Sequence, residues 1–135
     1  MNNKSYYNEK IIKNTEKIKL ILRELPAVCR EYFMSISQTT SVLTRLAYAY
    51  DLRLFFQFLC EEELTFANSI PMNISIDDIR KISVKEINHF QNYLIQYIKL
   101  GEKNESNLVQ NGSLGIMRKL CSLRSFFEYL FKNEL

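Results

Sequence analysis

The sequence predicts an all-α protein: a compact bundle of four main helices plus a short extra helix near the N-terminus. Three observations carry this. Three glycines and two prolines in 135 residues are too few for the turns of a β-sandwich or barrel. Apolar residues recur at spacings of three and four along nearly the whole chain. A composition 47% hydrophobic and 24% charged is that of a globular chain rather than a disordered one. A chain of this length is one domain's worth and can bury roughly two-thirds of its unfolded surface, so a core forms without metals or disulfides.

The first helix is expected over residues 8–25, with Ile11, Ile18, Ile21, Leu22 and Leu25 on one face and lysines opposite. Pro26 ends that hydrogen-bond ladder and suits the first turn of a short helix reaching residue 35. Residues 37–41 form a polar break rich in capping residues. A long helix follows over residues 41–62, its stripe made by Tyr48, Leu52, Phe55 and Leu59 and widened by Phe56 and Phe58. Periodicity fails over residues 63–82, where Pro71, Asn73, Asp77 and Asp78 mark an irregular connection. Ser83 and Glu86 then have the spacing of a capping box, opening a helix that turns Ile87, Phe90, Leu94 and Tyr97 inward and ends at Gly101. Residues 102–111 read as a polar loop. The last helix starts near Gly112 and Ser113, with a seam of Ile116, Leu120, Leu123, Phe127 and Leu130.

Charge and cysteines narrow the function. The net charge of +3 is small, but residues 1–60 hold nine basic and five acidic side chains, against nine and ten in the remainder. A basic first half suits an anionic partner, although such a stretch is also what a solvated face looks like. Cys29, Cys60 and Cys121 are scattered among apolar neighbours, as buried free thiols of a reducing cytosol are. One histidine and no Cys-x-x-Cys pair leave no zinc site. Glycine-rich phosphate loops and nucleophile-elbow motifs are absent, so neither a cofactor nor an active site is expected. With no apolar run near 18 residues and no signal-peptide pattern, the protein is expected in the cytoplasm and away from membranes.

Two helix openings have more character than amphipathicity requires. The first has the skeleton S-x-x-T-x-x-x-Y-x-x-x-L-x-x-F, from Ser41 through Thr44, Tyr48 and Leu52 to Phe55. The second has the skeleton S-x-x-I-x-R-[KR]-L-x-S-L-R-x-F-F-x-Y-L, from Ser113 through Ile116, Arg118, Lys119, Leu120, Ser122, Leu123 and Arg124 to Leu130. In that order, with the helix opening at residues 82–90 between them, they closely resemble the core-binding domain of the tyrosine recombinases, the phage-integrase family. The resemblance covers roughly residues 30–135 and divides the chain into an N-terminal helical extension, residues 1–26, and a core-binding domain, residues 27–135.

The resemblance implies a SAM-like helical domain that forms half of a C-shaped clamp around double-stranded DNA at a recombination core site. Cutting and rejoining fall to a second domain carrying an arginine, a lysine, a histidine-x-x-arginine segment and a nucleophilic tyrosine. The chain stops about where the interdomain linker of the family begins, so no catalytic residue is expected here, and none of the eight tyrosines is assigned as nucleophile. Family members act as tetramers of protomers on paired sites; the isolated domain is expected to be a monomer. Gly115 stands where the family often has a small hydroxyl residue, which leaves its amide as the phosphate contact at that position.

Helix N-termini attract anions, and Ser or Thr caps offer hydroxyls to phosphate oxygens. Ser41, Thr44, Arg45, Ser113, Gly115, Arg118, Lys119 and Ser122 are therefore the expected DNA contacts, with arginine able to read guanine in the major groove. Ser41, Thr44 and Ser113 read equally well as ordinary caps. Arg118 and Lys119 fit a solvated face as well, but the resemblance favours DNA, and replacing both by alanine is expected to weaken binding with the bundle intact. Arg53 and Arg124 are candidates for pairing with Asp51 or Glu128, Lys81 and Lys85 for the DNA backbone, Tyr48 for the core, and Lys10, Lys13, Lys17 and Lys19 for a solvent face. The rival reading is a helical protein-interaction module indifferent to DNA. A helix-turn-helix regulator fits less well, because long connections separate the long helices.

Overall fold

The computed structural model describes residues 3–67, 69–101 and 112–135, with the side chains of residues 3, 4, 64, 96–101 and 113 outside that description. These residues form six α-helices and, among them, no strand: α1 (Asn3–Arg23), α2 (Val28–Ser35), α3 (Val42–Glu62), α4 (Ile76–Arg80), α5 (Val84–Gly101) and α6 (Ser113–Lys132). Two 3₁₀ turns, Leu64–Phe66 and Pro71–Asn73, lie between α3 and α4. The all-helical bundle expected from the sequence is what is observed. The expected loop at residues 102–111 and the inward placement of Tyr97 lie outside the described residues.

Helix α3 is the axis. Ala49, Leu52, Phe55, Phe56, Phe58 and Leu59 are all buried, a face covering about half of the helix circumference, while Tyr50 and Gln57 on the other side are exposed. Its start is set by Ser41, whose extended backbone lets Oγ accept the Thr44 amide at 3.1 Å. Helix α1 starts five residues earlier than its periodicity indicates, and Ile18, Ile21 and Leu25 join the same core as α3. Helix α2 contributes Tyr32, whose ring meets Phe126 edge-on at 5.3 Å and whose hydroxyl bonds Ser125 at 2.7 Å. Phe55 joins three helices, meeting Phe90 of α5 at 5.1 Å and Phe127 of α6 at 6.2 Å.

The connection between α3 and α5 is better ordered than its lost periodicity implies. Ser75 opens α4 with a full capping box, its Oγ taking the Asp78 amide while Asp78 accepts the Ser75 amide. Those bonds hold the Asp78 carboxyl below its ordinary value. Phe66, Ile74 and Ile79 plug this segment into the core. At Ser83 the expected box is present on one side: Glu86 accepts the Ser83 amide at 2.8 Å, whereas the serine oxygen takes the Lys85 amide at 3.3 Å rather than that of Glu86.

The cysteines depart from expectation. Only Cys29 is buried; Cys60 is partly covered and Cys121 is exposed on the outer face of α6. Burial pushes the Cys29 thiol far above its ordinary value. Under native conditions Cys121 is therefore expected to take up iodoacetamide first and Cys29 only on unfolding, which peptide mass mapping of the labelled protein reads directly.

Candidate nucleic-acid interface

The direction of the helices decides which of their ends come together. Asp51 of α3 touches Arg118 and Ser122 of α6, and further along both helices Phe56 meets Phe126 at 6.0 Å. Positions advance together, so α3 and α6 run parallel. Asp51 lies nine residues into α3, and Arg118 and Ser122 lie five and nine residues into α6. At 1.5 Å per residue both helices extend about 10–14 Å beyond that contact in the N-terminal direction. Their two openings therefore emerge at one end of the molecule.

Helix α1 runs the same way. Glu24, just past its C-terminal end, pairs with Arg53 at 3.2 Å on the surface, while Tyr7, Lys10, Ile11 and Asn14 line a groove of about 340 Å³ with Thr40, Ser41, Leu43 and Arg45. Helix α5 runs opposite, since His89 pairs with Glu63 at 2.8 Å and Tyr93 meets Phe58 at 4.9 Å. It leads the chain back to the end where α6 begins.

At the α3 opening the first helical bond is Arg45 N–H to Ser41 C=O at 3.0 Å. The amides of Val42 and Leu43 precede it, and that of Thr44 is taken by Ser41 Oγ. The Thr44 hydroxyl lies 3.0 Å from Ser41 Oγ, so both expected hydroxyls sit together at the tip. Arg45 is partly committed inward: its Nη1 donates to the Ser37 carbonyl at 3.0 Å and to Thr40 Oγ1 at 3.1 Å, and also reaches the Thr40 carbonyl. That fixes the chain between α2 and α3.

Helix α6 is capped by Gly112 rather than by Ser113, which is already its first residue. Its first bond runs from the Ile116 amide to the Gly112 carbonyl at 3.1 Å, so the Gly115 amide is one of those that precede the ladder. The expected contact through the Ser113 hydroxyl lies outside the described side chains.

Beneath this tip sits a charge cluster that the sequence reading missed. Asp51 is 2% exposed, yet all its bonds are met: Arg118 donates to both carboxylate oxygens, at 2.7 and 3.0 Å, and Ser122 Oγ donates at 2.6 Å. A buried carboxylate is tolerated when an arginine fork pairs with it in this way. Its sequence signal is its place on the core face, three residues after Tyr48 and four before Phe55. Arg53, a candidate partner for Asp51, pairs with Glu24 instead, while Arg124 pairs with Glu128 as anticipated.

The cluster corrects one expected contact. Ser122 is fully buried and its hydroxyl serves Asp51, so it cannot meet a phosphate without opening the bundle. Arg118 keeps 48% of its side chain exposed and leaves part of its fork facing solvent. Lys119 is half-buried; burial lowers the pKa of its ammonium, Arg118 acts in the same direction, and Asp51 opposes both. Lys81 is exposed and pairs with Asp78 at 3.7 Å. Among the described residues no group of acidic, histidine or cysteine side chains can hold a metal ion, and no helix is long and apolar enough to cross a membrane.

No family model matches the chain, and no solved structure does. Among curated proteins it is 31% identical over 124 residues to the tyrosine recombinase XerC of Caldanaerobacter subterraneus subsp. tengcongensis, an alignment taking in 90% of this chain. The chain spans 33% of that relative's length. This similarity supports a relationship to the tyrosine recombinases, limited to about one third of such a protein.

Proposed function

We propose that the chain is the DNA-binding domain of a tyrosine-type site-specific recombinase, gripping one arm of the recombination core site while a separate catalytic domain cuts and rejoins strands. In this reading residues 27–135 form the core-binding domain, and α1 is an N-terminal extension packed onto it. The observation that carries the proposal is the parallel pairing of α3 and α6. It gathers Ser41, Thr44, the Gly115 amide, Arg118 and Lys119 at one end, with the one acidic group between the two helices buried and paired. Amide-rich helix tips flanked by cations suit a phosphate backbone, and the outward arginine suits base edges. Ser122 belongs to the scaffold beneath that surface. Full-length protomers would meet in a DNA-bound tetramer.

A salt titration with duplex DNA tests this. Log affinity is expected to fall with log salt by about 0.9 per phosphate neutralised, and Lys119→Ala to reduce that slope by about 0.9 with unchanged circular dichroism. Binding that is absent at low salt, or insensitive to salt, would refute the DNA reading and favour the protein-interaction module.

A further inference from the structure

The Asp51–Arg118 pair joins α3 to α6 just below the proposed contact surface, and its geometry separates two things an arginine can offer DNA. One is net positive charge; the other is a set of directed N–H donors. The fork spends one donor from each terminal nitrogen on the carboxylate, at 2.7 and 3.0 Å. Guanidinium has five N–H groups, so three remain to point elsewhere. A rigid planar group held along one edge presents its remaining donors in a fixed direction. Its charge, meanwhile, is balanced by a carboxylate 2% exposed whose direct ion-pair partner is Arg118, with the Lys119 ammonium near enough to feel the same charge.

On the DNA-binding reading above, we infer that Asp51 is a positioning residue for the interface: it aims Arg118 while cancelling its charge. Arg118 then contributes direction and Lys119 contributes counterion release. Asp51 touches no DNA itself. It also sets the register of α6 on α3 through Ser122, so one buried carboxylate governs both the spacing of the two tips and the charge they display.

The test uses the 135-residue chain and a mixed-sequence duplex of about 30 base pairs, titrated between about 50 and 200 mM salt. Asp51→Asn removes the negative charge but keeps an oxygen acceptor for Arg118 and Ser122. It is expected to steepen the salt slope by about 0.9 and to tighten binding roughly eightfold near 0.1 M salt, because one more cation is released to act on phosphate. Asp51→Asn combined with Arg118→Gln is expected to return the slope to the wild-type value. Asp51→Ser is a second neutral variant should the amide fail to fold.

A merely structural Asp51 would instead weaken binding in step with lost thermal stability and leave the slope unchanged, and that result overturns the inference while the DNA reading stands. If the wild-type chain shows no salt-dependent binding at all, the DNA reading fails and this inference fails with it.

Discussion

Phe55→Ala is expected to lower stability by about 4 kcal/mol, the middle of the range for emptying a fully buried phenylalanine site. The ring is fully buried and touches Phe56 and Phe58 on its own helix, Phe90 on α5 and Phe127 on α6. Three helices converge on it, so no single one can shift to fill the space without breaking contacts with the other two. Against a total stability of about 5–15 kcal/mol for a domain of this kind, such a loss leaves a marginal protein. In urea denaturation the midpoint should fall by about 2 M at an unchanged slope of about 2 kcal/mol/M. Phe131, 86% exposed at the end of α6, is the matched control: its replacement by alanine should stay within about 0.5 kcal/mol. Equal effects at the two sites would mean that the aromatic interior is not packed as described.

The second large effect is expected at Arg118. From sequence, its replacement is expected to affect binding only. The structure changes that expectation, because removing the guanidinium strands a buried carboxylate. Breaking a buried pair costs about 3–5 kcal/mol; here half of the arginine side chain is solvated, so about 2–3 kcal/mol is the expected loss. That corresponds to a fall in Tm of about 8–12 °C for a chain of this size. Asp51→Leu combined with Arg118→Met should recover most of it, since an apolar pair of similar volume needs no partner and Ser122 Oγ retains the Arg118 carbonyl at 3.3 Å. Thermal melts of the single and double variants decide the matter. A double variant no more stable than Arg118→Ala would show that the pair contributes specific packing beyond satisfied charge. The consequence for binding assays is practical: affinity lost by Arg118→Ala alone reflects fold and contact together, and Lys119 is the cleaner probe.

How much of this was legible in the sequence differs between fold and site. Helix positions follow from periodicity and caps, because both signals are local: Ser41 precedes an unbroken apolar stripe, and Ser83 directly precedes the helix that begins at Val84. Between residues 63 and 82 the signal fails for a physical reason. Phe66, Ile74 and Ile79 are anchored singly, by short turns that leave no period to count, although Ser75 and Asp78 had the spacing of a cap. At the site, the two openings could be named from their residues, but their juxtaposition depends on α3 and α6 running parallel, which no local pattern encodes. The same limit hid the role of Asp51. Arg53 is close in sequence, but at two residues' separation it does not face Asp51 on the helix, and the actual partner is 67 residues away. Ser122 illustrates the converse error: a hydroxyl within the segment that carries the family resemblance is expected to face outward, whereas its helix turns it toward α3.

The parallel pairing also bears on how the protein comes into being. Antiparallel neighbours can zip up from a short hairpin as they leave the ribosome, but α3 and α6 cannot, because everything between them must be synthesised first. Closing so long a loop is slow and gains nothing until both partners are present. The paired tips therefore cannot exist on a nascent chain before translation passes Ser122, and on the proposed reading any hold on a polyanion arises only from that point.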